Sequence, residues 1–223
     1  MLVDDVPVEK PGTRVAEAAR VRLRGGAPRR FVSRGGEKLA GALEDLGLEP
    51  AGRRCLDVGA STGGFTDCLL QAGARAVVAV DVGYGQLHPK LRADPRVRVL
   101  ERTNARHLEA AALPHPIDLV TVDASFISAR LLLPRLVELA PAAELLVLVK
   151  PQFEVGRERV GKGGVVREEE LRGEAVRAVA RSAEELGYEV AGRAESRLAG
   201  PRGNREVFLW LRPGARARRE GGA

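Results

Sequence analysis

The sequence predicts an α/β fold in which a mostly parallel sheet of seven strands is covered by helices on both faces. From residue 33 onward, short apolar segments alternate with amphipathic segments of helical periodicity, which is the pattern of strands joined by helical crossovers. A glycine-rich turn follows the first apolar segment, at the place where sheets of this kind bind ligands. Both observations favour one main domain at 33–212.

The apolar segments that predict the strands are 54–58, 76–80, 97–100, 119–122, 145–149, 188–192 and 206–211. Helical periodicity predicts helices at about 36–46, 64–72, 129–139 and 168–186. No helical segment separates the last two strands, so we expect them to form an antiparallel hairpin.

Residues 1–24 predict a small separate element. Apolar residues at 2–3, 6–8 and 21–23, with turn-forming residues between them, indicate a short β-hairpin that buries too little apolar surface to fold well alone. Residues 25–32 are predicted to be a linker, and residues 213–223, rich in glycine, alanine and arginine, a disordered basic tail.

Positive charge is concentrated at the two ends of the chain. The 223 residues carry a net charge of +6, to which residues 1–34 contribute +4 and residues 212–223 contribute +3, so the body at 35–211 is close to neutral. Basic ends on a neutral body suit a polyanionic partner such as nucleic acid, although basic ends also serve simply to raise solubility.

Composition disfavours several classes of protein. The apolar stretches are too short to cross a bilayer and no charged-then-apolar leader opens the chain, so we expect a cytoplasmic protein with no membrane contact. Cys55 and Cys68 show neither C-x-x-C spacing nor a cluster with histidine, which disfavours a zinc site and a disulfide framework. We expect no metal, and the sequence does not indicate an oligomeric state.

The glycine-rich turn predicts a nucleoside cofactor rather than a dinucleotide. A dinucleotide-binding turn has the spacing G-x-G-x-x-G, whereas the glycines here fall at 59, 63 and 64, with Ser61 in the second position. An acid two residues before the first glycine, followed by G-x-[GS]-x-G, resembles motif I of the Rossmann-like class I methyltransferases, which bind S-adenosylmethionine. The alternative is an ordinary turn between a strand and a helix, with an acid that caps the helix.

Two further positions agree with this resemblance. Asp81 ends the second strand, at the distance from the glycine turn where an acid accepts both hydroxyls of a nucleoside ribose. Asn104 follows the third strand, where this fold contacts the adenine edge. The predicted cofactor-binding residues are Asp57, Gly59, Ala60, Ser61, Gly63, Gly64, Phe65, Asp81, Val82, Asn104 and Asp123.

Four polar residues are predicted to be catalytic: Lys38, Asp123, Lys150 and Glu206. Arginine supplies 31 of the 36 basic residues, so the few lysines indicate places that need a compact cation or one able to lose a proton. Methyl transfer to a ribose 2′-hydroxyl needs such a group, as a base or to stabilise the developing alkoxide, with the two acids holding the ammonium groups. Taken singly, each residue also has a structural explanation, as a solvated helix residue, a strand-edge charge or a helix cap.

Other methyltransferase chemistries fit the sequence less well. A small-molecule O-methyltransferase is expected to use a metal, and no His/Asp cluster is present. An adenine N-methyltransferase is expected to carry Asn/Asp-Pro-Pro-Tyr/Phe after the fourth strand, where this chain has Asp123-Ala124-Ser125-Phe126.

Residues 31–211 closely resemble the TlyA family, which is described as hemolysins and ribosomal RNA 2′-O-methyltransferases with an FtsJ-like catalytic domain. The stretches that carry the resemblance are 33–39, 55–68, 80–87, 101–106, 123–128, 149–154, 161–166, 200–201 and 203–206. The resemblance implies S-adenosylmethionine as cofactor, ribosomal RNA within ribosomal subunits as partner, and a Lys-Asp-Lys-Glu tetrad at Lys38, Asp123, Lys150 and Glu206. It also implies that residues 1–24 are the C-terminal remnant of an α-L RNA-binding module.

Two rival functions stay open at this stage. One is an RNA-binding protein with an inactive methyltransferase fold, and the other is a membrane-lytic hemolysin, for which the sequence offers no amphipathic or membrane-spanning element. The glycine-rich segment 156–166 also predicts a mobile loop that orders on RNA or cofactor, because it has little to bury.

Overall fold

The computed structural model describes residues 2–4, 6–8, 13–22, 30–200 and 202–214. The chain divides into two compact units, Met1–Arg30 and Phe31–Ala223. Residues 215–223 of the predicted tail and residues 25–29 of the predicted linker lie outside the described residues.

The first unit contains three short strands where the sequence predicts a hairpin. Strands β1 (Leu2–Val3), β2 (Val6–Pro7) and β3 (Val21–Arg22) form an antiparallel sheet in the order β2-β1-β3. Asp4 makes the first turn with a φ of 47° and also holds the third strand, because its carboxylate accepts a hydrogen bond of 2.9 Å from the Arg20 backbone amide. The predicted apolar segments therefore pair as strands, and they form a three-stranded sheet instead of a two-stranded hairpin.

The second unit contains the predicted seven-stranded sheet. Its strands are β4 (Arg54–Val58), β5 (Ala76–Val80), β6 (Val97–Leu100), β7 (Leu119–Val122), β8 (Glu144–Val149), β9 (Tyr188–Glu195) and β10 (Val207–Pro213). Its α-helices are α1 (Arg34–Leu46), α2 (Gly64–Gln71), α3 (Pro89–Arg92), α4 (Leu133–Leu139), α5 (Pro151–Glu154) and α6 (Glu169–Glu185). Short 3₁₀ turns lie at Ala105–His107, Ala110–Ala112, Ala129–Leu131 and Arg157–Arg159.

The strand order is β6-β5-β4-β7-β8-β10-β9, and β4 to β8 pair in parallel. The predicted hairpin of the last two strands is confirmed, with β10 inserted antiparallel between β8 and β9. The register pairs Val207 with Val149, so the residue before β10 lies at the same edge as the residue after β8. This edge, where the parallel strands end, is where ligands bind in open α/β sheets.

Helices cover both faces of the sheet, as the sequence predicts. Alternate residues of each central strand point to opposite faces, so Cys55 and Leu56 belong to different apolar clusters. One cluster includes residues of α1 and α2, and the other includes residues of α4 and α6.

The element boundaries differ from the predictions mainly where proline interrupts the pattern. The predicted helix at 129–139 is a 3₁₀ turn followed by α4, since Pro134 has no amide hydrogen to continue a helix through it. Glu206 precedes β10 instead of opening it. Helices α3 and α5, of four residues each, were not predicted, and each begins with a proline.

Candidate active site

The turn after β4 needs glycine because the backbone of a neighbouring strand end passes close to it. Gly59 has a φ of 86°, and a Cβ there would lie 2.7 Å from the backbone oxygen of Asp123. A Cβ on Gly64 would lie 2.2 Å from the Ser33 hydroxyl, which caps α1. The glycines therefore let the start of α1 and the end of β7 meet this turn.

A cavity of about 340 Å³ opens between this turn and the start of α1. Six of the predicted cofactor-binding residues line it: Gly59, Ala60, Ser61, Gly64, Phe65 and Asp123. The sequence reasoning missed the rest of the wall, which includes Ser33, Arg34, Gly35 and Thr62. The stretch 33–39 was recognised as a motif, but only Lys38 was selected from it.

The other predicted cofactor residues lie outside this lining. The Asp81 carboxylate accepts hydrogen bonds of 2.8 Å from the Ser61 amide and 2.7 Å from the Gly83 amide, so it holds the glycine turn against the end of β5. Val82 is exposed, and the Asn104 side chain caps a 3₁₀ turn through the Arg106 amide. Their contact with a cofactor stays a prediction.

Asp57 does not line the cavity, and its predicted role in cofactor binding stays a prediction. Its side chain has no exposed surface and accepts hydrogen bonds from the Thr66 and Thr121 hydroxyls at 2.6 and 3.2 Å. Burial, reinforced by the nearby charge of Asp123, raises the pKa of the Asp57 carboxyl to about 7. Its hydrogen bonds tie β4 to α2 and β7 beneath the glycine turn.

Gly63 also faces the protein interior. It has a φ of 96°, and a Cβ there would lie 2.2 Å from a methyl group of Leu91. Its place in the motif follows from this packing and backbone conformation.

The four predicted catalytic residues form two ion pairs. Lys38 Nζ lies 2.5 Å from Glu206 Oε2, and both side chains are buried. Lys150 Nζ lies 2.6 Å from Asp123 Oδ1, with the lysine buried and the aspartate partly exposed. Asp123 also lines the cavity together with Lys38, so both pairs border the same space.

Lys150 is surrounded by three oxygen atoms, one of which the sequence did not indicate. Besides Asp123 Oδ1, its Nζ donates to the Ser125 hydroxyl at 2.8 Å and approaches the Asp123 backbone oxygen at 3.3 Å. The contact with Asp123 Oδ1 is an ion pair, and the Ser125 hydroxyl and the Asp123 backbone oxygen are the hydrogen-bond acceptors. Ser125 is the exposed member of this set, so a ligand can reach Lys150 on that side.

A buried carboxylate fixes the loop that carries Asp123 and Ser125. Glu154, at the end of α5, accepts hydrogen bonds from the Ser128 hydroxyl at 2.5 Å and from the Ala129 amide at 2.7 Å. Helix α5 starts directly after Lys150. These hydrogen bonds therefore hold the loop after β7, which carries Asp123 and Ser125, against the segment that follows β8 and carries Lys150.

An aromatic side chain projects from the same loop. Phe126 has a φ of 67° and is 92% exposed, and its only aromatic neighbour in the described chain is Phe153, 5.5 Å away between ring centroids. A non-glycine residue in this backbone conformation is uncommon, and a large exposed aromatic ring offers a stacking surface.

Two kinds of feature are absent from the described residues. No group of three or more histidine, cysteine, aspartate or glutamate side chains could hold a metal ion there. No helix among them is both long and apolar enough to cross a membrane.

The fold and the glycine-lined cavity together define a Rossmann-like class I methyltransferase. A magnesium protoporphyrin IX methyltransferase from Synechocystis, solved with bound SAH, superposes with a TM-score of 0.55 at 16% identity, over 85% of this chain and 90% of that one; this likeness concerns the fold alone. The model of the family described as FtsJ-like methyltransferase matches residues 31–213. The chain belongs to the FtsJ-like methyltransferase family.

Two closer relatives agree with this membership. The chain is 54% identical over 211 residues to the 16S/23S rRNA (cytidine-2′-O)-methyltransferase TlyA of Mycobacterium tuberculosis, covering 94% of this chain and 79% of that protein. A solved structure from Streptococcus thermophilus, named as a candidate hemolysin, is 40% identical with a TM-score of 0.83, over 95% of this chain and 75% of that one.

Proposed function

We propose that this protein transfers a methyl group from S-adenosylmethionine to a ribose 2′-hydroxyl of ribosomal RNA. The observation that carries this proposal is the pair of lysine–carboxylate contacts, Lys38–Glu206 and Lys150–Asp123, beside a glycine-lined cavity. The name of the relative at 54% identity, a ribosomal RNA cytidine-2′-O-methyltransferase, supports the same reaction.

The cavity residues fit the cofactor. Gly59, Ala60 and Gly64 of the turn line the cavity with no side chain larger than a methyl group, so a ligand can approach the backbone of the turn closely. The N-termini of α1 and α2 meet there, and Arg34 and Ser33 add donors for a carboxylate such as that of the methionine moiety. S-adenosylmethionine supplies a methyl group activated by a sulfonium centre. Asp81, Val82 and Asn104 are proposed to hold its adenosine.

Lys150 is proposed to handle the proton of the 2′-hydroxyl. Once its ammonium group has released one proton to solvent, the neutral Nζ can accept the proton of the 2′-hydroxyl as the 2′-oxygen gains the methyl group and the bond from methyl carbon to sulfur breaks. Asp123, 2.6 Å away, then holds the regenerated ammonium group. The exposed contact with Ser125 is the one that the substrate hydroxyl would replace, because the other two acceptors belong to Asp123.

Phe126 is proposed to receive the base of the target nucleotide. A ribose in folded RNA becomes accessible to a cavity of this kind when its base leaves the stack, and an exposed aromatic ring compensates for the lost stacking. Phe126 is one residue from Ser125, which contacts Lys150.

A labelled methyl-transfer assay on ribosomal subunits from a deletion strain tests this function. Alkali-resistant dinucleotides in the product distinguish ribose methylation from base methylation. We expect Lys150→Arg to be nearly as inactive as Lys150→Ala, each losing about 10²–10⁴ in rate, because arginine keeps the charge but cannot accept a proton. Lys90→Arg is the matched control, since Lys90 lies on α3 and is largely exposed.

Three outcomes would count against the proposal. Methylation on a base would overturn the assignment of the 2′-hydroxyl. An Lys150→Arg enzyme that keeps most of its activity would show that Lys150 stabilises charge without accepting the proton. Absence of methyl transfer by the unaltered protein on both subunits would favour an RNA-binding protein with an inactive fold.

A further inference from the structure

Four exposed cations near the active-site edge have no carboxylate partner. Lys162, Arg167, Arg202 and Arg205, here called the basic platform, make no ion pair with any residue that the structure describes. Two of the neighbouring acids, Glu169 and Glu174, already pair with Arg172 and Arg159.

The opposite edge of the sheet is arranged differently. There most of the arginines at the starts of strands are paired, Arg53 with Glu144, Arg54 with Asp118, and Arg96 with Asp94, and Arg75 before β5 is the exception among the described residues. Charges paired in this way contribute to local structure and have little attraction left for a polyanion. The unpaired cations of the basic platform are therefore available to a ligand.

A buried asparagine joins the two segments that form the basic platform. Asn204 is 2% exposed, and its side chain accepts a hydrogen bond of 2.9 Å from the Val166 amide and donates one of 2.8 Å to the Gly164 carbonyl. Arg202 lies directly over Gly164, where a Cβ would be 2.7 Å from its guanidinium. These contacts fasten the predicted mobile loop to the turn before β10; its mobility stays a prediction.

The basic platform is attached to both catalytic pairs. One of its segments leads back through α5 to Lys150, and the other leads two residues onward from Asn204 to Glu206. Gly200, which closes that turn through the Asn204 carbonyl, packs so closely on Glu206 that a Cβ would lie 2.5 Å from Oε1. A ligand bound to the basic platform therefore has a fixed position relative to the four predicted catalytic residues.

A groove of about 340 Å³ runs beside Arg205. Arg172, Arg193 and Arg197 also line it, and each of these three has a carboxylate partner. The groove has the volume of a small-ligand site and gives a strand of nucleic acid a concave path next to the unpaired Arg205.

We propose that the basic platform binds the phosphodiester backbone of the RNA strand next to the target ribose. Guanidinium groups match phosphate oxygens in a bidentate way, and backbone contacts of this kind set the register of a nucleic acid without reading its sequence. The inference rests on the proposed function, since RNA is the substrate that it positions. Its partner is the phosphate backbone and not an acidic protein surface.

The test compares two variants that lose the same charge. Arg202→Gln/Arg205→Gln removes two cations of the basic platform, whereas Arg177→Gln/Arg181→Gln removes two exposed cations from the middle of α6, two to three turns along from its start at the active-site edge. Binding to a fluorescent, protein-free ribosomal RNA transcript is measured across a salt series. For two lost phosphate contacts, the slope of log K against log salt should fall by about 1.4–1.8 in the first variant. The control should keep the slope of the unaltered protein.

Methylation kinetics give a second readout. We expect the basic-platform variant to raise KM for ribosomal subunits roughly tenfold, with kcat and the affinity for S-adenosylmethionine nearly unchanged, because the tetrad and the cofactor cavity are intact.

Equal salt slopes for the two variants would overturn the inference. A loss of binding to intact subunits with an unchanged slope on protein-free RNA would also overturn it, and would point to a ribosomal protein as the partner. If the unaltered protein methylates no RNA, the proposed function fails, while the salt slopes still decide whether the basic platform contacts phosphates.

Discussion

Asp57 offers a test that separates a structural acid from a cofactor ligand. Its carboxyl is fully buried between the hydroxyls of Thr66 and Thr121, and burial raises its pKa from 3.8 to about 7. In Asp57→Asn, the amide oxygen can accept from Thr66, and the amide nitrogen can donate to the Thr121 hydroxyl oxygen. The substitution therefore keeps the packing and the hydrogen bonds and removes the titration.

The size of the expected change in the free energy of unfolding follows from the difference between the folded and unfolded pKa values of Asp57. Between about pH 4 and pH 7 the folded protein keeps this proton while the unfolded chain has lost it, so the free energy of unfolding falls as pH rises. A difference of three pKa units corresponds to a loss of about 4 kcal/mol in the free energy of unfolding. This loss is complete above pH 7 and absent below pH 4. The asparagine variant lacks this loss, so its stability relative to the unaltered protein should rise by about 4 kcal/mol across that window.

Urea unfolding of both proteins at half-unit steps from pH 4.5 to pH 8 measures this difference, since all other titrating groups are shared. Calorimetry at pH 8 should also show that affinity for S-adenosylmethionine changes less than threefold, because the carboxyl does not line the cavity. Parallel stability curves would refute the reasoning, as they would mean that the folded carboxyl is ionised like an exposed one. A large loss of cofactor affinity would restore Asp57 as a ligand.

Two further substitutions test the predicted ligand contacts. Asp81→Ala should weaken S-adenosylmethionine binding by roughly tenfold to a hundredfold, because it removes a charged hydrogen-bond acceptor that also holds the glycine turn, and calorimetry against Asp94→Ala as control measures it. Unchanged affinity would exclude Asp81 from the cofactor site. Phe126→Ala should lower kcat/KM on ribosomal subunits by roughly fivefold to a hundredfold, the range for one base stacked on an aromatic ring, while Leu131→Ala, also exposed, should not. Equal effects of the two substitutions would remove the stacking role.

Strands β4, β5, β6 and β7 were predicted to the residue, whereas β9 was not. Residues of β4, β5 and β7 are almost all buried, so each strand is a short, mostly apolar run with clear ends. Strand β9 lies at the edge of the sheet and exposes most of its residues, including Glu189, Arg193 and Glu195. Its sequence therefore contrasts little with a loop, and its last three residues were missed.

The four candidate catalytic residues could be selected from the sequence, but not which acid pairs with which lysine. Lysines are rare in this chain, which singled out Lys38 and Lys150 by composition. Which acid joins which lysine depends on the insertion of β10 between β8 and β9, which brings Glu206 to Lys38 across 168 positions. Ser125 was not among the predicted site residues, since nothing in one sequence shows that its hydroxyl points at Lys150.

The two lysine–carboxylate pairs are not equivalent, and the difference indicates their roles. The Glu206 side chain is wholly buried and that of Lys38 nearly so, so this pair is closed to solvent on the carboxylate side. Asp123 is partly exposed, and Lys150 has an exposed hydroxyl as its third contact. A substrate oxygen can replace a serine hydroxyl more readily than a buried carboxylate, whose removal would leave an unpaired charge in the interior. We infer that Lys150 meets the 2′-hydroxyl, while Lys38 keeps a fixed positive charge at the wall of the cavity.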